Sequence, residues 1–345
     1  MTKTFSRKIS IYTFVMSLLI VLYHVSVFNS YSIILGSNLE TTVYAVCRKL
    51  FNNLAAISLG FFFATSAYLM YQSADNSTIY AKVKKRLFTL GVPFVFWNIV
   101  EFAFLYFVHQ LDAISILSFS LDPFDGPLWY VFALLILSAI SPLILNLKKL
   151  SLNCVLLIFV VIVVASSIFC LAYNKKLCFE GLYWLERVVR YLPAYFSGIL
   201  LAWYGDKITK ESYKKNIVEL VARMFTIFGI LIILVFNSSE ENILTYCILR
   251  LLPVSVWFSF HCESNEKINN FPIKISFILY AIHDMIVRII GWGGYKVLNT
   301  DSITGYQFIL FRVVSLLIIY CIALCVAYVV KRFIPKLYVI MTGGR

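Results

Sequence analysis

Two histidines lie within long apolar segments of the sequence, where a titratable side chain is uncommon. His24 lies in the segment that begins at Ile9, and His283 lies in a late segment that begins near residue 272. An imidazole has an ordinary pKa of about 6.5, so at neutral pH it can accept the proton of a hydroxyl that acts as a nucleophile. We therefore take His24 and His283 as candidate catalytic residues, with His24 as a general base.

Further polar residues share one face of the first apolar segment. At about 100° per residue on a helix, Ser10, Thr13, Ser17 and His24 fall within roughly 40° of one direction. We expect Thr13 and Ser17 to bind substrate or to line a channel. At a rise of about 1.5 Å per residue, His24 lies roughly 22 Å from Ile9, which predicts a position in the outer half of a membrane. The alternative is that His24 only donates a hydrogen bond to a neighbouring helix.

The residue that follows His283 is acidic. Asp284 and Arg288 are four residues apart, so they can pair along one face of a helix. Asp284 is then either a substrate-binding residue or a partner that makes Arg288 tolerable in an apolar segment. Other charged residues also fall in or near apolar segments, and those near helix ends can extend to the membrane surface. They are Glu101, Arg223, Arg250 and Arg312.

The composition predicts the elements that position these residues. Hydrophobic residues make up 61% of the 345-residue chain and charged residues 14%, with a mean hydropathy of +0.85. A soluble protein has about 25% charged residues, and a membrane-spanning helix needs about 20 mostly apolar residues. The apolar segments lie near residues 9–30, 50–71, 88–109, 127–147, 153–173, 189–205, 218–237, 243–260, 272–290 and 307–331. We expect an all-α integral membrane protein with about ten transmembrane helices, formed by residues 1–345 as one domain without a separate soluble domain.

Charges in the connections between these segments predict the orientation, because lysine and arginine accumulate in short cytoplasmic loops. Basic residues cluster in alternate connections: Lys3, Arg7 and Lys8; Lys82, Lys84, Lys85 and Arg86; Lys148 and Lys149; Lys207, Lys210, Lys214 and Lys215; Lys331, Arg332 and Lys336. The intervening connections carry Asp112, Asp122, Asp125, Glu240 and Glu241. Both termini are therefore expected in the cytoplasm. The exceptions are Arg48, Lys49, Lys175 and Lys176.

Neither the charge nor the cysteines indicate another class of function. The net charge of +13 follows the orientation pattern, so we expect no nucleic-acid partner. The 8 cysteines lie mostly in apolar segments, without a CxxC pair or metal-ligand spacing. We expect them to act as small hydrophobic residues and expect no metal site.

Several segments, in this order, resemble the bacterial membrane acyltransferase family 3. They are Leu18 to His24, Phe61 to Leu69, Lys85-Arg86-Leu87 followed by Pro93 and Trp97, Gly126-Pro127-Leu128-Trp129-Tyr130, and Ser276 to His283 with Tyr280. The resemblance spans nearly the whole chain and marks further candidate residues for donor binding or a channel: Ser66, Arg86, Trp129 and Tyr280. The chain departs from the family where Thr13 replaces a basic residue and Ala67 replaces a glycine.

The resemblance implies transfer of an acyl group, with acetyl as the first expectation, from cytosolic acyl-CoA to a hydroxyl of a carbohydrate. The acceptor would be a polysaccharide or a lipid-linked sugar of the cell envelope, and His24 would act as general base or acyl relay. Acyl-CoA is then a donor substrate, and no permanently bound cofactor is expected. The expected location is the bacterial inner membrane, crossed many times and in contact with its lipids. The sequence leaves open whether copies of the chain associate.

Two alternatives remain from the sequence. The first is a transporter or flippase of a glycan intermediate, which would also use polar residues inside the membrane. The second is a structural membrane subunit. The basic cluster Lys82 to Arg86 is likewise open to two interpretations, because it either binds the phosphates of CoA or only fixes the orientation.

Overall fold

A computed structural model of the chain describes residues 3–108, 126–174, 183–209, 212–235, 243–259, 271–298 and 302–344. Several charged residues used to predict the orientation lie outside the described residues. They are Asp112, Asp122, Asp125, Lys175, Lys176, Lys210, Glu240 and Glu241.

Helices make up almost all of the described residues, which confirms the predicted all-α class. They are α1 (Lys3–His24), α2 (Asn38–Tyr71), α3 (Ile79–Phe107), α4 (Trp129–Ala139), α5 (Ser141–Leu145), α6 (Leu152–Asn174), α7 (Tyr183–Thr209), α8 (Ser212–Val235), α9 (Ile243–Ser259), α10 (Phe271–Lys274), α11 (Ser276–Leu298), α12 (Gly305–Phe333) and α13 (Pro335–Thr342). Short 3₁₀ turns cover Val27–Ser30, Gly126–Leu128 and Asn146–Lys149. Strands β1 (Ser32–Ile34) and β2 (Ser302–Thr304) pair in parallel.

Seven helices of the described part are long and apolar enough to cross a membrane. They cover Arg7–Ser30, Asn38–Tyr71, Ile79–Phe107, Leu152–Asn174, Asn216–Val235, Ser276–Gly294 and Gly305–Phe333. Segments Gly126–Ala139 and Ser141–Lys149 meet at 54° and form an eighth candidate as a bent pair. Pro142 lies at this bend, where its missing amide hydrogen prevents a continuous helix. The chain is thus a multi-pass membrane protein, and the count of ten spans stays a prediction.

Helices α2 and α3 begin earlier than the apolar segments predict. They start at Asn38 and Ile79, whereas the apolar segments start near residues 50 and 88. The added turns carry charged residues, including Arg48 and Arg86, which lower the hydropathy without opposing helix formation. The basic cluster Lys82 to Arg86 therefore lies on a helix and not in a loop.

The described residues fall into two compact units. Unit 1 comprises Met1–Ala55, Val92–Trp129 and Ser264–Arg345. Within it, α1 packs against α11 and α12, and α12 packs against α13. Gly291 permits α11 to approach the turn after α1, because a Cβ there would lie 2.3 Å from Val27 Cγ2. Trp97 of α3 donates a hydrogen bond to the Met341 carbonyl at 3.0 Å.

A buried carboxylate stabilises the strand pair of unit 1. Glu40, in the first turn of α2, accepts hydrogen bonds from the Gly36 amide at 2.8 Å and from the Tyr306 amide at 3.2 Å. Backbone N–H groups in the first turn of a helix have no partner within that helix, so an acceptor there is stabilising. Glu40 therefore joins the start of α2 to the start of α12, next to β1 and β2.

Unit 2 comprises Ala56–Gly91 and Tyr130–Glu263. Within it, α6, α7, α8 and α9 pack against one another. Glycines allow the part of α2 in this unit to contact α7 and α9 closely, as is common between helices in membrane proteins. A Cβ on Gly198 would lie 2.0 Å from the Ala64 carbonyl oxygen, and a Cβ on Gly60 would lie 2.8 Å from Pro253 Cγ.

A tight turn connects α2 to α3 within unit 2. Ser73 has a positive φ of 55°, and the Lys82 ammonium donates to the carbonyl oxygens of Met70 and Gln72 at 3.1 and 2.6 Å. Asp75 accepts hydrogen bonds from the amides of Ser77 and Thr78 at 3.0 and 2.8 Å. The carbonyl groups that end one helix and the amides that precede the next are therefore satisfied by side chains.

Candidate active site

His24 and His283 lie side by side in unit 1. Their ring centroids are 4.9 Å apart at a tilt of 60°. His24 is the last residue of α1 and is half-buried, whereas His283 lies near the middle of α11 and is fully buried. The packing of α1 on α11 thus brings the two candidate catalytic histidines together.

The hydrogen bonding of His283 defines which ring nitrogen is available. Its Nδ1 lies 2.6 Å from the Tyr280 carbonyl oxygen, which can only accept, so Nδ1 carries a hydrogen. In a neutral ring the lone pair is then on Nε2. That atom is buried and has no hydrogen-bond partner among the described residues. A buried acceptor of this kind is suited to the proton of a substrate hydroxyl.

Tyr280 connects two motifs of the sequence, the segment from Ser276 to His283 and the segment from Gly126 to Tyr130. Its hydroxyl donates to the carbonyl of Pro127, and its ring centroid lies 5.7 Å from that of His283. Pro127 belongs to the 3₁₀ turn that precedes α4, and Trp129 follows this turn as a half-buried residue. Tyr280 therefore lies against the candidate site, and its hydroxyl fixes the backbone just before Trp129.

Thr13 and Ser17 are placed on α1 below His24. The buried Ser17 hydroxyl donates to the Thr13 carbonyl oxygen at 2.8 Å, so this donor is satisfied within its own helix. Thr13 is half-buried. Lys8 lies with its ammonium 5.6 Å from the ring centroid of Tyr12, one turn further along the same helix.

Asp284, the residue after His283, is within electrostatic range of both histidines. Arg288 Nε donates to Asp284 Oδ2 at 2.8 Å, so the pair predicted along α11 is formed. Glu101 of α3 is fully buried, and neither carboxylate oxygen has a hydrogen-bond partner in the described part of the chain. It lies within electrostatic range of Asp284 and Arg288. The sequence shows Glu101 only as a charge in an apolar segment and gives no sign of its proximity to α11.

Ser66 and Arg86 are bonded to each other in unit 2. Arg86 donates from Nη1 to the Ser66 hydroxyl at 2.7 Å and from Nη2 to the Ser66 carbonyl oxygen at 2.5 Å. Lys82 is bonded to the end of α2, as described above. Lys84 and Lys85 are exposed and make no hydrogen bond or ion pair with the described residues. Of the basic cluster, these two lysines present their full charge to solvent.

The chain is thus a multi-pass helical membrane protein in which a half-buried and a fully buried histidine lie side by side. Residues 14–332 match the family model described as an acyltransferase domain, that of the membrane acyltransferase family 3. Because the match covers almost the whole chain, the chain belongs to this family, and the resemblance found in the sequence is confirmed. Neither a curated protein nor a solved structure matches the chain. The protein is therefore a membrane acyltransferase.

Proposed function

We propose that the protein transfers an acyl group, with acetyl as the first candidate, from cytosolic acyl-CoA to a hydroxyl of a cell-surface or lipid-linked carbohydrate. The contact between His24 and His283 is the observation that carries this proposal. The imidazole nitrogens of this pair can accept the proton that the acceptor hydroxyl loses when it attacks the acyl group. We place the protein in the bacterial inner membrane, with ten spans, cytoplasmic termini and no permanently bound cofactor.

The proposed reaction uses His24 as the base. The hydroxyl oxygen of the acceptor attacks the thioester carbonyl, and its proton moves to the imidazole of His24. The new C–O bond forms as the C–S bond breaks, and the CoA thiolate takes up the proton. The buried Nε2 of His283, on a ring 4.9 Å from that of His24 and without a hydrogen-bond partner among the described residues, is proposed as a second acceptor for this proton. A preorganised base is more effective than water because it needs no reorganisation during the reaction.

His24 can instead act as an acyl relay. In this version the His24 nitrogen attacks the thioester, the C–S bond breaks, and the N–H proton of the imidazole leaves with CoA as its thiol. The acceptor hydroxyl then attacks the acyl carbon and displaces the imidazole. His283 would accept the proton of that hydroxyl and return it to the imidazole of His24. Trapping of a labelled acyl group on His24 in the absence of an acceptor distinguishes the relay from the general base.

The donor is proposed to bind through the basic start of α3. Arg86 is fixed by Ser66, and the exposed Lys84 and Lys85 are available to the phosphates of CoA. Phosphates pair well with guanidinium and ammonium groups because their hydrogen bonds are charge-assisted. Thr13 and Ser17 of α1 are proposed to line the path by which the acyl group reaches His24.

The test is a bacterial strain whose only copy of the gene carries His24→Ala. Mass spectrometry of its surface glycans should show loss of the acyl mass while the protein accumulates in the membrane. Val15→Ala is the matched control, since Val15 lies on the same helix with 43% of its surface exposed. Retained acylation in the His24→Ala strain would refute the catalytic role. A glycan unchanged in mass upon deletion of the whole gene would favour a transporter.

A further inference from the structure

Two arginines of unit 1 lie close together without an acidic partner. Arg312 of α12 is only 1% exposed, and Arg48 of α2 is exposed. Neither forms an ion pair within the described ranges of the chain. A buried cation is costly unless it is paired, and a second cation nearby raises that cost.

Aromatic contacts define how close the two guanidinium groups are. The rings of Tyr44 and Phe308 meet edge to face with centroids 5.2 Å apart. The guanidinium carbon of Arg48 lies 5.9 Å from the Tyr44 centroid, and that of Arg312 lies 4.7 Å from the Phe308 centroid. The two cations are therefore held on adjacent rings, and Arg312 is within electrostatic range of Arg48.

The neutral contacts of Arg312 leave part of its donor set unused. Its Nη2 donates to Asn29 Oδ1 at 2.8 Å, and its guanidinium carbon also lies 5.0 Å from the Phe51 centroid. Its Nε is buried and has no hydrogen-bond partner among the residues that the structure describes. Aromatic faces and an amide stabilise a cation only partly. A planar group with an unused N–H is suited to a carboxylate or phosphate oxygen.

The arginine pair lies at the same end of α1 as the candidate base. Asn29, which bonds Arg312, follows His24 by five residues. Tyr23, the residue before His24, is within electrostatic range of Arg312. Strand β1 follows Asn29 closely in the chain, and β2 closely precedes the start of α12. An open strand edge is not compatible with the hydrocarbon region of a bilayer. The pair is therefore near the membrane surface, on the side predicted to face away from the cytoplasm.

We propose that Arg48 and Arg312 bind an oxyanion of the acyl acceptor, so that the acceptor is an acidic carbohydrate or a carbohydrate on a phosphate-bearing lipid. This assignment of the acceptor rests on the proposed acyl transfer. It also gives Arg48 a role, although its position breaks the pattern of basic residues on the cytoplasmic side. The acceptor hydroxyl would be oriented towards His24 while its anionic group is held by the arginines.

The experiment is a calorimetric titration of the purified full-length protein in a neutral detergent with D-glucuronate, inorganic pyrophosphate and D-glucose. At least one anion should bind more tightly than glucose. Arg48→Gln should weaken that binding about ten-fold, since it removes a charge-assisted contact. Lys49→Gln is the matched control, because it removes the same charge from the next residue and should leave the affinity within about two-fold.

The outcomes distinguish an acidic sugar from a lipid-linked phosphate as the source of the anion. They also test the oxyanion site independently of the proposed acyl transfer. Tighter binding of glucuronate indicates an acidic sugar, and tighter binding of pyrophosphate indicates a lipid-linked phosphate. Equal affinity for glucose and both anions, or an equal effect of Arg48→Gln and Lys49→Gln, would overturn the oxyanion site. Arg312→Lys provides a second variant that keeps the charge but loses the planar fork, and it should also weaken binding. Because no acyl donor is present, these results do not depend on whether His24 is catalytic.

Discussion

The imidazole rings of His24 and His283 lie 4.9 Å apart, although the two residues belong to the first helix and to one of the last helices of the chain. The Tyr280 carbonyl holds the Nδ1–H of His283, which leaves Nε2 as the nitrogen that can accept a proton. The pair therefore combines a half-buried ring at a helix end with a fully buried ring whose tautomer is fixed.

His283→Ala should lower kcat for acyl transfer by about 10²-fold or more, because it removes the second base. The apparent KM for acyl-CoA should change little, since the donor is proposed to bind at the start of α3. The measurement is a steady-state assay on purified protein. Ile289→Ala is the control, because Ile289 lies on the same helix with 54% of its surface exposed. An unchanged kcat in His283→Ala would leave His24 as the base by itself.

Arg86→Ala should raise the apparent KM for acyl-CoA and also lower the stability of the protein. The stability effect is expected because Ser66 loses both of its bonds to the guanidinium group, at about 0.6–1.7 kcal/mol for a hydrogen bond inside a membrane protein. Lys84→Gln removes the same charge without breaking a bond to Ser66. It should raise KM and leave the unfolding temperature unchanged. If neither variant changes KM, the basic cluster serves orientation and packing.

Gly198→Ala should destabilise unit 2 by about 1–3 kcal/mol or prevent its folding, because overpacking forces helices apart. The added Cβ would lie 2.0 Å from the Ala64 carbonyl oxygen, which belongs to the backbone of α2 and cannot move alone. Gly205→Ala in the same helix is the control, since a Cβ there would meet no atom of the described residues within 4 Å. Thermal unfolding in detergent compares the two variants. Equal unfolding temperatures would contradict the close contact of α7 with Ala64.

Asp75 should make the turn between α2 and α3 sensitive to acid. Hydrogen bonds from Ser77 and Thr78 lower the pKa of this exposed carboxyl from its ordinary value of 3.8 to about 2. A lowered pKa means that the contribution to stability is complete above pH 3.8 and is lost as the pH falls through about 2. The protection of the Ser77 and Thr78 amides, measured as their hydrogen-exchange rate relative to that of an unstructured peptide at the same pH, should therefore fall only below about pH 4. Asp75→Asn should show less protection at neutral pH and no further loss below about pH 4.

The membrane class and the order of the helices could be predicted from the sequence, because apolar segments of the right length have few other interpretations. The helix ends could not. The first turns of α2 and α3 are polar, and Pro142 bends a segment that hydropathy shows as continuous.

Contacts between distant residues account for most of what the sequence does not show about the site. The bond between Arg86 and Ser66 joins two motifs that the sequence indicates only separately. Glu101 and Arg312 look alike in the sequence, as single charges in apolar segments. Their different surroundings arise only when α3 meets α11 and when α12 meets the turn after α1. Periodicity describes one helix and contains no information about which neighbour covers each face.

The parallel pairing of β1 with β2 has a consequence for biosynthesis. Ser32 pairs with Ser302, so the ribosome has made most of the chain before the first strand finds its partner. Glu40 likewise awaits the Tyr306 amide. The turn between α1 and α2, whose Asn29 bonds Arg312, therefore lacks its final contacts until nearly all of the chain has been translated. A chain released early would therefore lack both the strand pair and the contact of Arg312 with Asn29.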